Sequence, residues 1–352
     1  MRFQDVRIAA VGRALPEERV TSDELEERLA PVYERLRLRV GRLELMSGIK
    51  ERAFWPPGTL PSDASVLAGE DALARAGIAP ERIGCLVHAS VSRDLLEPST
   101  ASFVHRRLGL PADCHVFDLS NACLGVANAM VLVGGMIERG EIDAGLVVAG
   151  EDGRPLVEQT IRELVERPDT SKDDLKRAFA SLTIASGAAA VVLERASAPL
   201  SVAPEAAGGQ RLVGGVVRAA TEHNVLCQGD RAADGDGLSM STDSEAMLVA
   251  GNALAARTFE AFLEELEWSR ESIDRVVTHQ VGSAHRRLLF ETLELDPAID
   301  FPTVETLGNI GSVSLPLSLS LAVDAGKIEP GHDVAMLGIG SGLHCLMLGV
   351  TW

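Results

Sequence analysis

The feature that most constrains this chain is an ordered repeat of short motifs in its two halves. The first half contains residues 86–89 (LVHA), 104–108 (VHRRL), an apolar strand, 121–125 (NACLG), an apolar helix and 143–150 (DAGLVVAG). The second half contains residues 276–279 (VVTH), 284–288 (AHRRL), a strand, 308–311 (GNIG), an apolar helix and 333–340 (DVAMLGIG). Chance would supply one matching tetrapeptide but not the whole ordered series, so the sequence predicts two copies of one module.

Each copy reads as strand, helix, strand, helix, strand, which predicts an α/β fold with parallel strands and covering helices. We expect the two halves, residues 1–200 and 211–352, to pack about a pseudo-twofold axis. The polar, helix-prone residues 154–183 predict a helical insertion over the core. The acidic, Gly-rich residues 228–245 predict a mobile loop.

The turn around Cys123 is the first candidate for chemistry. It joins an apolar strand at residues 114–118 to an apolar helix that runs to about Glu138. A thiol at a helix N-terminus lies in the positive end of the helix dipole, which favours the thiolate. On this stretch alone, a nucleophile and an ordinary buried cysteine are equally good interpretations.

Ligand sites in such sheets lie beyond the carboxyl ends of the strands. Because the repeat brings equivalent strand ends together, it predicts that the Cys123 turn, His279 and the Asn309 turn face one pocket. Taken locally, His279 fits a core histidine at a strand end, and Asn309 fits a turn residue beside glycine. The repeat is what favours a shared site.

Charge and cysteine content exclude several classes of function. The net charge of −18 argues against nucleic-acid binding, because phosphate contacts need clustered cations. No apolar run approaches the ~20 residues that span a bilayer. Five cysteines, an odd number without C-x-x-C spacing, disfavour both a disulfide framework and a metal site. We therefore expect a cytoplasmic protein without an integral membrane segment.

Four of these motifs together resemble the Cys-His-Asn set of the thiolase superfamily, in its β-ketoacyl synthase III branch. They are residues 121–125 (NACLG), 279–281 (HQV), 308–311 (GNIG) and 338–344 (GIGSGLH). Within that branch, residues 90–102 (SVSRDLLEPSTAS) and 220–224 (ATEHN) are similar to OleA-type enzymes, which join two long acyl-CoA chains head to head. The resemblance covers essentially the whole chain. It implies the thiolase fold, a five-layered αβαβα arrangement.

The resemblance also implies roles for the site residues. Cys123 would take an acyl group from a thioester, and backbone N–H groups at Cys123 and near Ser341 would form an oxyanion hole. His279 and Asn309 would hold the carbonyl of the second thioester and stabilise its enolate. Coenzyme A thioesters would be the substrates, with no metal or other cofactor.

Glu97 is the residue that decides which condensation is run. Removing a poorly acidic α-proton without decarboxylation requires a base in a dry site. In OleA-type enzymes the glutamate of the Leu-Glu-Pro motif is that base and acts in the partner subunit of a homodimer, and Glu97 matches it. Locally, Glu97 also fits a carboxylate that stabilises a helix N-terminus before Pro98.

Other conspicuous residues are interpreted more modestly. Gly125 and Val126 stand where the family usually has bulkier residues, so they are candidates for lining an acyl channel. Two histidine–arginine pairs are interpreted as packing and surface charge, and four cysteines as structural: His105, Arg106, His285, Arg286, Cys85, Cys114, Cys227 and Cys345.

The sequence thus predicts a homodimer that condenses two long-chain acyl-CoA thioesters without decarboxylation. The product would be a 2-alkyl-3-oxo acid for olefin, hydrocarbon or β-lactone biosynthesis, passed to downstream pathway enzymes. One alternative is a decarboxylative 3-oxoacyl-ACP synthase III. The other is a silent acyl-CoA-binding subunit, which the intact Cys-His-Asn set disfavours.

Overall fold

A computed structural model describes residues 1–202, 210–231 and 237–352. The strands are β1 (Val6–Ala14), β2 (Glu18–Thr21), β3 (Glu51–Phe54), β4 (Cys85–His88), β5 (His115–Asp118), β6 (Ala144–Glu151), β7 (Gly187–Arg195), β8 (Arg211–Ala219), β9 (Cys227–Arg231), β10 (Leu238–Thr242), β11 (Arg275–Thr278), β12 (Asp333–Gly340) and β13 (His344–Thr351). The helices are α1 (Ser22–Arg28), α2 (Ala30–Leu36), α3 (Arg42–Ser47), α4 (Pro61–Ala76), α5 (Thr100–Leu108), α6 (Gly125–Glu138), α7 (Arg154–Glu166), α8 (Lys172–Ala178), α9 (Ser244–Leu266), α10 (Ser283–Leu293), α11 (Val304–Leu307) and α12 (Ser314–Asp324).

Nine strands pair in the order β11-β12-β13-β8-β1-β7-β6-β4-β5. The two halves meet at β1 and β8, which pair at Arg7 and Arg211. Only the outer strands of each half are parallel, namely β5-β4-β6 and β11-β12. The inner pairs are antiparallel. In the second half this follows from the short connection between β12 and β13, since a tight turn joins antiparallel neighbours.

Buried side chains divide the protein into five layers. The central cluster combines α6 and α12 with strand residues from both halves. A second cluster packs α4 and α5 on the outer face of the first half, and a third packs α9 and α10 on that of the second half. Two outer helical layers, two strand layers and a shared helical centre confirm the predicted five-layered fold.

The second half departs from the repeat before the Asn309 turn. The repeat predicts a strand there, but the structure contains only an isolated bridge between Val276 and Asp300. Pro297 begins a 3-10 turn, and Pro302 has no backbone N–H to extend a strand ladder. The counterpart of β5 is therefore reduced to a single paired residue.

A fourth buried cluster lies outside the five layers and unites α1, α2, α3, α7 and α8. Its two last helices occupy the predicted insertion. The predicted mobile loop at residues 228–245 is instead a two-stranded hairpin of β9 and β10, and residues 232–236 of it lie outside the described residues. Among the described residues, no helix combines the length and apolarity needed to cross a membrane.

Candidate active site

A cavity of about 680 Å³ lies between the five-layered core and the fourth cluster. Cys123, His279, Asn309 and Ser341 all line it. Much of the remaining wall is apolar and comes from helices α2, α3, α8, α9 and α10 and strand β10: Tyr33, Leu38, Leu43, Met46, Leu175, Phe179, Met240, Met247, Leu248 and Leu289. The structure therefore brings together the residues that the repeat predicts to share a pocket.

Cys123 occupies a sharp turn between β5 and α6. Ala122 before it has a φ of 46°, a left-handed conformation that is unfavourable for a residue with a Cβ. The turn is closed by hydrogen bonds from Leu124 N to Asn121 O (3.0 Å) and from Gly125 N to Ala122 O (3.2 Å). These bonds fix the thiol beside the start of α6.

The structure changes the expected ionisation of Cys123. Burial, together with the nearby Glu151 carboxylate, raises the pKa of the Cys123 thiol to about 12. Only Leu124 separates Cys123 from Gly125, the first residue of α6, yet desolvation outweighs the helix dipole there. The raised pKa favours a neutral Cys123 thiol, contrary to the thiolate that the sequence favours.

His279 directly follows β11, and its backbone N–H donates to Leu337 O at 2.9 Å. Burial, and secondarily His285, lowers the pKa of His279 to about 4, so its ring is neutral near pH 7. The Nδ1 atom of His279 is buried and has no hydrogen-bond partner among the described residues. A neutral imidazole can donate from one ring nitrogen to a carbonyl oxygen.

Asn309 is held by the first half of the chain. Its N–H donates to Thr183 O (3.0 Å), and its C=O accepts from Ala185 N (2.9 Å). The side-chain Oδ1 accepts from Gly311 N at 3.1 Å. Because the carbonyl end of the amide is occupied within the turn, the NH₂ end is the group that remains available as a donor.

The end of β12 lies against the Cys123 turn. A Cβ placed on Gly340 would lie 3.0 Å from Leu124 Cγ and 3.6 Å from the Cys123 backbone nitrogen. A side chain at position 340 would crowd Leu124, so a glycine favours this approach, and the next residue, Ser341, lines the same cavity as Cys123.

Glu97 lies elsewhere. It is exposed on the loop between β4 and α5 and is not part of the cavity wall of its own subunit. Its neighbours Leu95 and Leu96 are 52% and 78% exposed, which leaves an apolar tip on this loop. Its position fits no role within its own protomer's cavity.

Gly125 and Val126 do not line this cavity. A Cβ at Gly125 would lie 2.3 Å from Ala89 O, so this glycine permits close packing of α6 on the end of β4. Val126 is buried in the central cluster. The small residues after Cys123 thus serve helix packing, and Gly125 and Val126 lie away from the wall of this cavity.

Several wall residues were missed from the sequence. His285 and Arg286 line the cavity instead of serving only packing and surface charge, and Cys227 also lines it. Cationic side chains of Arg42, Lys172 and Lys176 join the wall as well. The basic residues 172–177 were a visible signal, but their proximity to Cys123 depends on the fold. Cys85 and Cys345 are fully buried in strands, as predicted.

Duplicated halves with a cysteine, histidine and asparagine on one cavity define the thiolase-fold acyltransferases as a class. Comparisons with known proteins agree. Residues 263–352 match the family described as 3-oxoacyl-[acyl-carrier-protein (ACP)] synthase III C terminal. Acyl-CoA:acyl-CoA alkyltransferases from Shewanella oneidensis and Xanthomonas campestris pv. campestris are 38% and 40% identical to this chain, with 100% of both chains covered in each comparison.

Solved structures give the same result. Cerulenin-bound Xanthomonas OleA superposes with a TM-score of 0.93 at 40% identity, covering 100% of this chain and 98% of that one. A Cys-to-Ser variant with bound lauric acid and lauroyl-CoA superposes with a TM-score of 0.92 at 39% identity, covering 99% and 100%. The chain belongs to the OleA family of acyl-CoA:acyl-CoA alkyltransferases, which confirms the resemblance seen in its motifs.

Proposed function

We propose that this enzyme condenses two long-chain acyl-CoA thioesters head to head, without decarboxylation, in a cytoplasmic homodimer. The observation that carries the proposal is the division of the site. Cys123, His279 and Asn309 line one apolar cavity, while Glu97 lies on an exposed loop outside it. A complete site therefore needs Glu97 from a second copy.

In the first half-reaction, the Cys123 sulfur attacks the carbonyl carbon of one acyl-CoA. The Cys123 proton passes to the departing coenzyme A thiolate, leaving a thioester on the enzyme. Backbone N–H groups of Cys123 and Ser341 stabilise the oxyanion of this step. A neutral resting thiol keeps the free enzyme unreactive until a thioester occupies the cavity.

In the second half-reaction, the partner's base removes an α-proton from the second acyl-CoA. The resulting enolate forms a carbon–carbon bond to the carbonyl carbon of the Cys123 thioester. His279 and the Asn309 amide donate hydrogen bonds to the enolate oxygen. The Cys123 thiolate leaves and takes up the proton held by the partner's base, giving a 2-alkyl-3-oxoacyl-CoA thioester whose hydrolysis yields the 3-oxo acid.

The wall of the cavity fits such substrates. Its apolar side chains suit a long acyl chain, and Arg42 and Lys172 suit the phosphates of coenzyme A. Arg286 also lines the cavity, but its guanidinium is paired with Asp300.

The outer surface of the first half suits a second copy. Strand β5 is one of the two edge strands of the nine-stranded sheet, and an edge strand can pair with another chain. The exposed Leu95 and Leu96 would be buried by the same association. Such an interface would place the loop that carries Glu97 against the partner subunit.

Mixed dimers test the division of the site. Co-expressed C123A and E97A subunits, purified through different tags, form a heterodimer with one complete site if Glu97 acts across the interface. We expect about half the wild-type condensation rate from this heterodimer, while each homodimer is inactive. An inactive heterodimer would show that Glu97 serves its own subunit, and an active E97A homodimer would show that Glu97 is not the base.

The reaction itself is tested with a long-chain acyl-CoA as the only substrate. We expect release of free coenzyme A and a long-chain ketone, which forms when the 3-oxo acid loses CO₂. Product that appears only when malonyl-ACP is added would support the decarboxylative alternative. Acylation of Cys123 without any condensation under either condition would support the silent subunit.

A further inference from the structure

Glu151 is a buried carboxylate that the proposed mechanism does not use. It ends β6, is 5% exposed, and accepts hydrogen bonds from two separate segments. One carboxylate oxygen accepts from Val91 N (3.0 Å) and from Ser312 Oγ (2.6 Å) and N (3.3 Å). The other accepts from Ser92 N (3.0 Å) and Oγ (2.8 Å).

Each of the two segments carries a group that the second half-reaction uses: one carries the base, and the other carries a donor to the enolate. Ser92 begins the loop that leads to Glu97, and Ser312 belongs to the turn that follows Asn309. The Ser92 and Ser312 contacts span 59 and 161 residues of sequence, so Glu151 joins parts of the chain that no local turn connects. Glu151 also lies close enough to Cys123 to affect its ionisation.

Burying a carboxylate is costly unless donors satisfy it, and an apolar residue would fill the same volume at lower cost. Glu151 receives five donors, which satisfies the charge and fixes the positions of the donating groups. An apolar side chain could not impose those positions. The carboxylate therefore has a geometric role that packing alone does not require.

We propose that Glu151 is a positioning residue that fixes the Glu97 loop to the Asn309 turn of the same subunit. Through these contacts, one side chain holds both Asn309, which donates to the enolate in its own active site, and Glu97, the base of the partner's active site. The geometry is a property of the fold, whereas its consequence for condensation rests on the proposed function.

Hydrogen exchange tests the geometry without using activity. The E151Q variant keeps the size of the side chain but turns an acceptor into a donor that faces existing donors. We expect peptides covering residues 90–99 and 309–313 both to exchange about tenfold faster in E151Q. The matched control is D152N, which changes the adjacent carboxylate and should leave residues 309–313 as in the wild type. Exchange that rises in only one segment, or in neither, would overturn the proposal.

Condensation kinetics test the consequence. S92A and S312A each remove one partner, and in the wild type we expect their effects on condensation to be non-additive. In the E151Q background the same two changes should be additive, because the shared partner is gone. Cys123 acylation should stay within about threefold of wild type in S92A and S312A, which keep the Glu151 charge near Cys123. Additive effects in both backgrounds would contradict the proposal, whereas a wild-type enzyme that makes no product would contradict only the proposed function.

Discussion

The two halves of the molecule share a design but carry different chemistry. In each half, a residue with positive φ directly precedes the functional residue of a turn: Ala122 (46°) before Cys123 and Gly308 (72°) before Asn309. The first half continues at once into α6, whereas the second passes through a 3-10 turn before α12. The two turns thus share a positive φ at the preceding residue, while the next residue is a cysteine in the first half and an asparagine in the second.

The largest effect is expected for the loss of Cys123, the first-half residue on which the first reaction step depends. The C123A variant should form no acyl-enzyme, and condensation should fall by at least ~10⁴-fold because the covalent route is lost. Intact-protein mass spectrometry after incubation with acyl-CoA checks the first statement, and ketone formation checks the second. An acyl adduct that persists in C123A would show that another thiol, such as Cys227, is the nucleophile.

The counterpart in the second half should fail later in the cycle. The N309A variant removes one donor to the enolate, so we expect condensation to fall about 10²- to 10³-fold. Acylation of Cys123 should remain, because Asn309 does not contact the first acyl group in the proposed mechanism. Equal loss of both steps would mean that the halves do not divide the chemistry.

The features of the fold and the site that the sequence predicted are those that the repeat marks. The order of elements and the meeting of Cys123, His279 and Asn309 were predicted, because apolar patterning and duplicated motifs are local signals. The antiparallel inner strands were not predicted, since strand direction depends on the length and path of each connection.

Wall residues were harder to predict than site residues. His285 and Arg286 lie on a helix whose counterpart in the first half carries His105 and Arg106, and only the former pair lines the cavity. The difference comes from the fourth cluster, which covers one end of the core and not its symmetric equivalent. Equivalent sequence positions therefore acquire different surroundings, and no local pattern records this.

Of the two residues with positive φ, Gly308 and Ala122, we expect substitution of Gly308 to cost more stability. Gly308 has φ 72° and ψ −169°, a region essentially restricted to glycine. A Cβ there would lie 2.9 Å from Ala185 Cβ and 3.0 Å from Arg52 Cβ. We expect G308A to lower the free energy of unfolding by about 2–3 kcal/mol, measured by urea denaturation. A wild-type midpoint would show that the turn relaxes without cost.

Titration should also be unequal between the halves. Burial lowers the pKa of His279 and His285 in the second half and that of His88 in the first. The unfolded chain binds protons near pH ~6.5, so stability falls as the pH drops from there to about 4, where His279 titrates in the fold. We expect H279N to flatten this acid-side loss in thermal melts. An unchanged slope in H279N would contradict the buried neutral histidine.

The smallest effect concerns Ala122, the first-half counterpart of Gly308. Left-handed alanine is strained by roughly 1 kcal/mol, whereas glycine pays a comparable entropy on folding, so A122G should change stability by only about ±0.5 kcal/mol. Its effect on acylation separates two reasons for keeping alanine. If a rigid turn aims the thiol, A122G should slow Cys123 acylation about threefold at unchanged stability, measured by burst-phase coenzyme A release. An unchanged burst would mean that the hydrogen bonds of Leu124 and Gly125 hold the turn without help from the side chain of residue 122.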